Sequence, residues 1–317
     1  MGIDCNGTCS RPSQPASPNP ANDLPISPTP TPTIGVSVAP KSAHPAEQTN
    51  SSSATLIAVG DIASCTSQGD EETVKLAKAI NGTIAVLGDT AYESGSTADF
   101  KSCYGPSWGQ VKDRTQPAVG NHEYQTPKAA GYFAYFGAAA GDPSKGYYSY
   151  DLGSWHLIVL NSNCSQVGGC QNGSPQETWL KSDLAAHSNL CTLAYWHHPR
   201  FSSGEHGNFL GVQDLWNDLY ASGAELVLNG HDHDYERFAP QDPNGNLDLA
   251  NGIREFVVGT GGKSERNLAG APIHNSQITI TGVYGVLKLT LNPTSYNWQF
   301  IPVAGSNASD SGSGMCH

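Results

Sequence analysis

Five short clusters of polar residues constrain this sequence more than its composition does. They read Gly60-Asp61, Gly88-Asp89-Thr90-Ala91-Tyr92, Gly120-Asn121-His122-Glu123, His197-His198-Pro199 and Gly230-His231-Asp232-His233. Nearly all of them follow short apolar runs, such as residues 55–59 and 83–87, which predict buried strands. Because strand ends converge at the edge of a layered sheet, side chains far apart in the sequence are expected to meet there.

The clusters carry seven side chains of types that bind metal ions. They are Asp61, Asp89, Tyr92, Asn121, His197, His231 and His233. Seven donors are too many for one tetrahedral ion and suit two neighbouring ions, which in two-metal sites lie about 3.5–4 Å apart. A shared aspartate is the usual means of holding two cations that close. The phenolate of Tyr92 is a hard, charged donor and favours a trivalent ion such as iron(III).

Each cluster taken alone also has an ordinary structural explanation. Gly-Asp is a common turn, Tyr92 could be a core tyrosine, and His197 could be a buried histidine with a hydrogen-bond partner. For His198 and Glu123 the structural explanation is the better one. The metal-site prediction therefore depends on the five clusters occurring together and in this order.

The charge and the cysteines restrict the kinds of partner and the compartment. Lys and Arg total 16 against 28 Asp and Glu, a net charge of −12, which argues against nucleic-acid binding. The positive charge that a phosphate substrate needs would then come from bound metal ions.

Eight cysteines at scattered positions favour disulfides and an oxidising compartment over free buried thiols, and Cys164 and Cys170 could close a small ring. No run of 18 apolar residues predicts a transmembrane helix, and the first residues do not resemble an export signal.

The composition divides the chain into three parts. Residues 1–53 are rich in Pro, Ser and Thr and predict a disordered linker or stalk. Residues 54–304 predict the catalytic domain, and residues 305–317 a flexible tail that Cys316 could pin. The predicted strands are 55–59, 83–87, 116–119, 155–160, 193–196, 225–228, 255–258, 282–289 and 295–301, and the predicted helices are 71–80, 176–186 and 212–221. This order predicts an α/β fold of two packed mixed β-sheets flanked by helices.

The clusters resemble the purple acid phosphatase branch of the calcineurin-like metallophosphoesterases. That family's motifs are Asp-x-Gly, Gly-Asp-x-x-Tyr, Gly-Asn-His-(Asp/Glu), Val-x-x-His and Gly-His-x-His, and the resemblance covers about residues 54–303. The tyrosine three residues after Asp89 is the feature typical of this branch. Ala63 and Ala194 depart from the motifs at positions that supply no ligand side chain.

The resemblance implies a four-layer αββα sandwich and a ligand set for two ions. Iron(III) would be held by Asp61, Asp89, Tyr92 and His233. A divalent ion, Fe, Zn or Mn, would be held by Asp89, Asn121, His197 and His231, with Asp89 bridging. A metal-activated hydroxide would attack phosphorus, and His122 or His206 would protonate the leaving group. His206 lies in a Gly-Glu-His-Gly loop that resembles the family's substrate-binding loop, although an exposed loop histidine would look the same.

The predicted function is therefore that of a secreted or cell-surface acid phosphatase acting on small phosphate monoesters. A phosphodiesterase or nucleotidase would use the same dinuclear centre. A non-catalytic cell-surface module that keeps the fold is a third interpretation, which the intact ligand set disfavours. The sequence predicts no oligomeric state.

Overall fold

Two β-sheets form the centre of the molecule. The computed structural model describes residues 53–187 and 191–317, so the predicted linker lies outside the described residues except for its last position. In chain order the strands are β1 (Ala54–Val59), β2 (Thr83–Leu87), β3 (Thr115–Ala118), β4 (Tyr148–Leu152), β5 (Trp155–Val159), β6 (Cys191–Tyr195), β7 (Leu226–Asn229), β8 (Tyr235–Phe238), β9 (Arg254–Val258), β10 (Ser276–Ile280), β11 (Gly285–Asn292), β12 (Ser295–Pro302) and β13 (Asp310–Met315). The first sheet has the order β13-β12-β11-β1-β2-β3, and the second has the order β10-β8-β9-β7-β6-β5-β4.

Strand direction places the polar clusters at one edge of each sheet. β1, β2 and β3 are parallel, with Ile57 opposite Ile84, and β5, β6, β7 and β9 are parallel in the second sheet. β11 runs antiparallel to β1, with Leu56 opposite Leu289, and β4 runs antiparallel to β5 in the second sheet, so each sheet is mixed. The carboxyl ends of neighbouring parallel strands lie side by side, which brings together the loops that follow them.

The helices cover the outer faces of the sheets. They are α1 (Gly69–Ala79), α2 (Thr97–Asp99), α3 (Ala130–Phe136), α4 (Pro175–Ala186) and α5 (Gln213–Ala221), with short 3-10 and π turns between them. The side chain of Ser174 accepts the backbone N–H of Glu177, which caps the start of α4. Within the described residues no helix has both the length and the apolar character needed to cross a membrane.

Alternation along the strands builds three apolar layers. On β1, Leu56 and Ala58 face the second sheet, while Ile57 and Val59 face α1 and α3. A third cluster packs α4 and α5 on the outer face of the second sheet, where Trp216 is fully buried. The layers are helix, sheet, sheet and helix, which confirms the predicted αββα sandwich.

The carboxyl-terminal segment differs from the sequence prediction. Residues 305–317 were expected to form a flexible tail, yet Asp310–Met315 pairs along β12 as the edge strand β13. Asp310 stabilises it, because its carboxylate accepts hydrogen bonds from Tyr235, Arg237 and Trp298 at 2.7–3.1 Å. A run of Ser and Gly carries no apolar pattern, so composition could not reveal that β12 offers an unpaired edge.

Three disulfides join the described cysteines, as the even count predicted. They are Cys65–Cys103, Cys164–Cys170 and Cys191–Cys316. The small ring at Cys164 and Cys170 and the pinning of Cys316 are both confirmed. Cys5 and Cys9 lie outside the described residues.

Removing the Cys191–Cys316 bridge is expected to lower the free energy of unfolding by about 2–4 kcal/mol. It closes a loop with a sequence separation of 125, against 6 for Cys164–Cys170, so the unfolded chain gains more freedom when it is lost. Urea unfolding of the Cys191→Ser/Cys316→Ser and Cys164→Ser/Cys170→Ser double variants would compare the two bridges. An equal or larger loss for the small ring would contradict the loop-entropy argument.

Candidate metal centre

Backbone hydrogen bonds join the cluster loops of the two sheets. The N–H of Asp61 donates to the carbonyl of Gly88 at 3.1 Å, which ties the end of β1 to the end of β2. The N–H of Gly60 donates to the carbonyl of Val258 at 2.9 Å, which ties the first sheet to the second. The loops therefore form one framework at the shared edge of the sandwich.

Three of the predicted ligands have left-handed backbone conformations. The φ angles of Asp61, Asp89 and His231 are 59°, 47° and 74°. Residues other than glycine seldom adopt this region, and such strain concentrates at functional sites. Here it turns each side chain off the end of its strand towards the common edge.

Four predicted ligands meet around the hydroxyl of Tyr92. Its oxygen lies 2.8 Å from Oδ1 of Asp61, 3.1 Å from Oδ2 of Asp89 and 3.4 Å from Nε2 of His233. Nε2 of His233 is itself 3.3 Å from Oδ1 of Asp61. All four side chains are buried, so these donors share a small space from which bulk water is excluded.

A second group of four donors meets around Nε2 of His197. This nitrogen lies 2.9 Å from Oδ1 of Asn121, 3.2 Å from Oδ2 of Asp89 and 3.2 Å from Nδ1 of His231. The other ring nitrogen of His197 is 2.9 Å from the carbonyl of Leu87, which fixes the ring orientation. A hydrogen bond of this kind at the remote nitrogen is the usual support of a metal-binding histidine.

Asp89 belongs to both groups. The same oxygen, Oδ2, faces Tyr92 on one side and His197 on the other, while Oδ1 accepts the N–H of His122 at 2.9 Å. Space for this carboxylate depends on Gly120, because a Cβ there would lie 2.0 Å from Oδ1 of Asp89. Asp89 thus lies between the two groups of predicted ligands and contacts both.

The donor chemistry fits a pair of cations. Asp61 and Asp89 are buried carboxylates, and within residues 53–187 and 191–317 neither forms an ion pair with Lys or Arg. Buried carboxylates need compensating positive charge, and metal ions supply it. Two carboxylates, a phenol, an amide and three imidazoles are the donors that such ions take. The seven residues have the composition and the contacts that the ligand prediction requires; their role as ligands stays a prediction.

Burial and neighbouring charges set the protonation of this cluster. Burial, with the charges of Asp61 and Asp89, raises the pKa of Tyr92 well above its ordinary value, so the phenol needs a strongly charged cation to replace its proton. Burial, with His197 nearby, lowers the pKa of His231, which leaves a neutral imidazole able to bind a metal. Burial opposes charge on both partners of the His197–Asp89 pair, yet their attraction raises the pKa of His197 to about 9 and holds that of Asp89 low.

Glu123 holds the two loops of the first sheet together. It is fully buried, and its carboxylate accepts the backbone N–H groups of Asp89, Thr90, Ala91 and Gly120 at 2.7–3.3 Å. Burial and the charge of Asp89 raise its pKa to about 7 despite these hydrogen bonds. The structural role predicted for Glu123 has this physical basis.

His122 and His206, the two predicted proton donors, lie on different sides of the cluster. His122 places Nδ1 2.6 Å from the carbonyl of Glu93 and Nε2 3.8 Å from Oδ2 of Asp89. His206 stacks on His231 with ring centroids 4.2 Å apart. Both rings are therefore next to the predicted ligands.

His198 lies beside the cluster without entering either donor group. Its Nδ1 is 2.8 Å from Oγ of Ser162, and its ring packs 4.4 Å from His231. Burial, with the charge of His197, lowers its pKa to about 3, so the ring is neutral. These contacts are those of a packing residue, in keeping with the sequence interpretation.

A loop that the sequence patterns did not mark borders the donor group around Tyr92. Oγ of Ser264 lies 2.7 Å from Nδ1 of His233, and the N–H of Lys263 donates to the carbonyl of Asp61 at 3.0 Å. Nζ of Lys263 sits 4.7 Å from the ring centre of Tyr92 and pairs with Glu93. Neither Lys263 nor Ser264 belongs to the residue types that marked the five clusters, so no sequence signal was present for this loop.

The comparisons with known proteins agree with this architecture. The family model for calcineurin-like phosphoesterases matches residues 54–235. Purple acid phosphatase 15 of Arabidopsis thaliana is 27% identical over 220 residues, which cover 58% of this chain and 40% of that protein. The chain thus spans less than half the length of this curated relative.

Solved structures show the same fold at low sequence identity. The purple acid phosphatase PPD1 from yellow lupin seeds superposes with a TM-score of 0.68 at 17% identity, covering 83% of this chain and 54% of that one. GAP50, the anchor in the inner membrane complex of Plasmodium, has a TM-score of 0.61 at 13% identity, covering 81% of this chain and 88% of that one. This chain belongs to the calcineurin-like phosphoesterase family, and its predicted resemblance to the purple acid phosphatase branch is confirmed.

Proposed function

We propose that this chain is a secreted phosphatase that hydrolyses phosphate monoesters at a pair of metal ions. The observation that carries the proposal is the position of Asp89, whose Oδ2 is shared by two donor groups in a buried, carboxylate-rich site. The three disulfides support an oxidising compartment. The catalytic domain would run from residue 54 to Cys316 rather than to residue 304.

The donor groups define which residues would hold which ion. Iron(III) would take Asp61, Asp89, Tyr92 and His233, because phenolate suits a hard trivalent ion. Fe, Zn or Mn in the divalent state would take Asp89, Asn121, His197 and His231. When bound, the two cations lower the pKa of a coordinated water and neutralise charge on the phosphoryl oxygens.

Residues of the chain itself would hold the donor groups in place and donate a proton to the leaving group. Glu123 and the Leu87 carbonyl hold the donors of both groups in place, so little reorganisation is needed when an ester binds. His122 and His206 border the two groups and are the proposed proton donors to the leaving alkoxide.

Activity and metal content measured on one sample test the proposal. We expect hydrolysis of p-nitrophenyl phosphate, a poorer rate with bis(p-nitrophenyl) phosphate, loss of activity after chelation and recovery on adding metal. A tyrosinate-to-iron(III) absorption band in the visible region is expected for the Tyr92 site. A faster rate with the diester would favour a phosphodiesterase, and a metal-replete sample inactive on every ester would favour a non-catalytic module.

The variant His206→Ala is expected to keep two metal ions per chain and to lower kcat by about 10²-fold. The ring contacts His231 by stacking and contributes no atom to either donor group, so metal binding should survive its loss. Metal analysis and a pH–rate profile would check this, with the exposed His274→Ala as the matched control. An unchanged profile would remove His206 from the mechanism and leave His122 as the proton donor.

A further inference from the structure

Arg266 is a cationic side chain beside the proposed active site that the proposed reaction does not use. Its backbone N–H donates to the carbonyl of His233 at 3.2 Å, which holds the backbone of Arg266 next to the donor group around Tyr92. Its guanidinium reaches the other side, where Nη1 lies 2.9 Å from Nε2 of His206. His206 in turn stacks on His231, so Arg266 is one imidazole ring beyond the His197 group.

The partners of Arg266 leave it available to an incoming anion. Nη1 is also 3.2 Å from Oε2 of Glu205, an ion pair whose carboxylate is 52% exposed. Exposed ion pairs contribute little and exchange readily with other anions. In the described part of the chain Nε and Nη2 donate to no protein acceptor, so the forked face of the guanidinium that suits a phosphate or carboxylate is open.

The contact with His206 identifies Arg266 as the donor of the pair. A guanidinium has no lone pair to offer, so Nε2 of His206 must accept and carries no proton in this arrangement. An anion bound at Nη1 of Arg266 would therefore compete with His206 for the same N–H group.

We propose that Arg266 binds a second anionic group of the substrate, on the leaving-group side of the scissile bond. The transferred phosphoryl group would be held at the metal pair. Arg266 lies beyond His231 and His206, so an anion at its guanidinium would be a different group of the substrate, such as a neighbouring phosphate of the leaving group. The chain would then favour phosphoric anhydrides such as nucleoside diphosphates over monoesters with an uncharged leaving group. This inference rests on the proposed phosphatase function and specifies its substrate class.

Kinetics on two nucleotides that differ by one phosphate would test this role. Hydrolysis of AMP and ADP is measured with wild type, Arg266→Gln and Arg266→Lys, with free metal in excess of nucleotide and with the exposed Lys101→Gln as a control. We expect Arg266→Gln to raise KM for ADP about 10- to 100-fold more than KM for AMP, the effect of losing a charge-assisted hydrogen bond. Arg266→Lys should restore part of the difference, because it keeps the charge without the fork.

The outcomes separate this inference from the proposed function. An unchanged ratio of ADP to AMP kcat/KM in Arg266→Gln, with both nucleotides still cleaved, would overturn the role of Arg266 alone. An equal loss on both nucleotides would do so too, since it would place Arg266 on the transferred phosphoryl group. A wild-type protein that holds two metals and cleaves neither nucleotide nor any ester would overturn the proposed function, and this inference with it.

Discussion

Replacing Asp89 by Asn is expected to leave at most one metal ion per chain and to lower phosphate ester hydrolysis by about 10³-fold or more. Asp89 is the only proposed ligand whose single oxygen faces both donor groups, at 3.1 Å from Tyr92 and 3.2 Å from His197. An amide has one acceptor oxygen and an NH2 group that would point at a cation. The site would also lose one of its two buried aspartate carboxylates, which weakens its hold on both ions.

Metal analysis after gel filtration, with activity on the same sample, would measure the effect of Asp89→Asn. The exposed Asp113→Asn is the matched control and should keep both ions. Thermal unfolding without metal separates ligand loss from misfolding, since the amide fits the space beside Gly120. Two ions per chain in the variant would contradict the bridging role.

The strand ends made the fold and the donor set predictable from the sequence. Each apolar run that ended in a cluster did form a strand, and β2, Thr83–Leu87, has the predicted bounds. Parallel pairing then placed these ends side by side, as the geometry of parallel sheets requires. The clusters could be recognised in the sequence because Asp, Asn, His and Tyr are residue types that bind metal ions.

Elements without such a signal were missed for physical reasons. β13 is a Ser and Gly strand stabilised by an edge partner, and β8 begins at Tyr235, only two residues after His233, with no Gly or Pro between them to mark its start. Arg266 and Ser264 contribute through tertiary contacts, to His206 and His233, that no local pattern encodes. A local sequence pattern identifies residues that act together with their neighbours in the chain. It does not identify residues whose role depends on a partner distant in the sequence.

Replacing Glu123 by Ala is expected to lower the free energy of unfolding by about 4 kcal/mol or more and to weaken metal binding. Its carboxylate accepts four backbone N–H groups, from Asp89 to Ala91 and from Gly120, and all lie in a buried site. Each buried donor left without a partner costs about 1–3 kcal/mol, although neighbouring losses do not add fully. Because these N–H groups belong to the loops that carry Asp89 and Asn121, their release should loosen both donor groups.

The isosteric variant Glu123→Gln distinguishes hydrogen bonding from the simple loss of volume. Its carbonyl can still accept two of the four N–H groups, but its NH2 must face the other two, so we expect an intermediate loss of stability. Metal affinity should fall about 10- to 100-fold, the usual effect of losing a residue that supports a ligand. Urea unfolding and metal titration of both variants would be compared with the exposed Glu72→Ala, which removes only a surface ion pair with Lys75. If Glu123→Ala matched this control in stability and metal affinity, the loops would hold their shape without Glu123, and the donors would owe their positions to the strand ends alone.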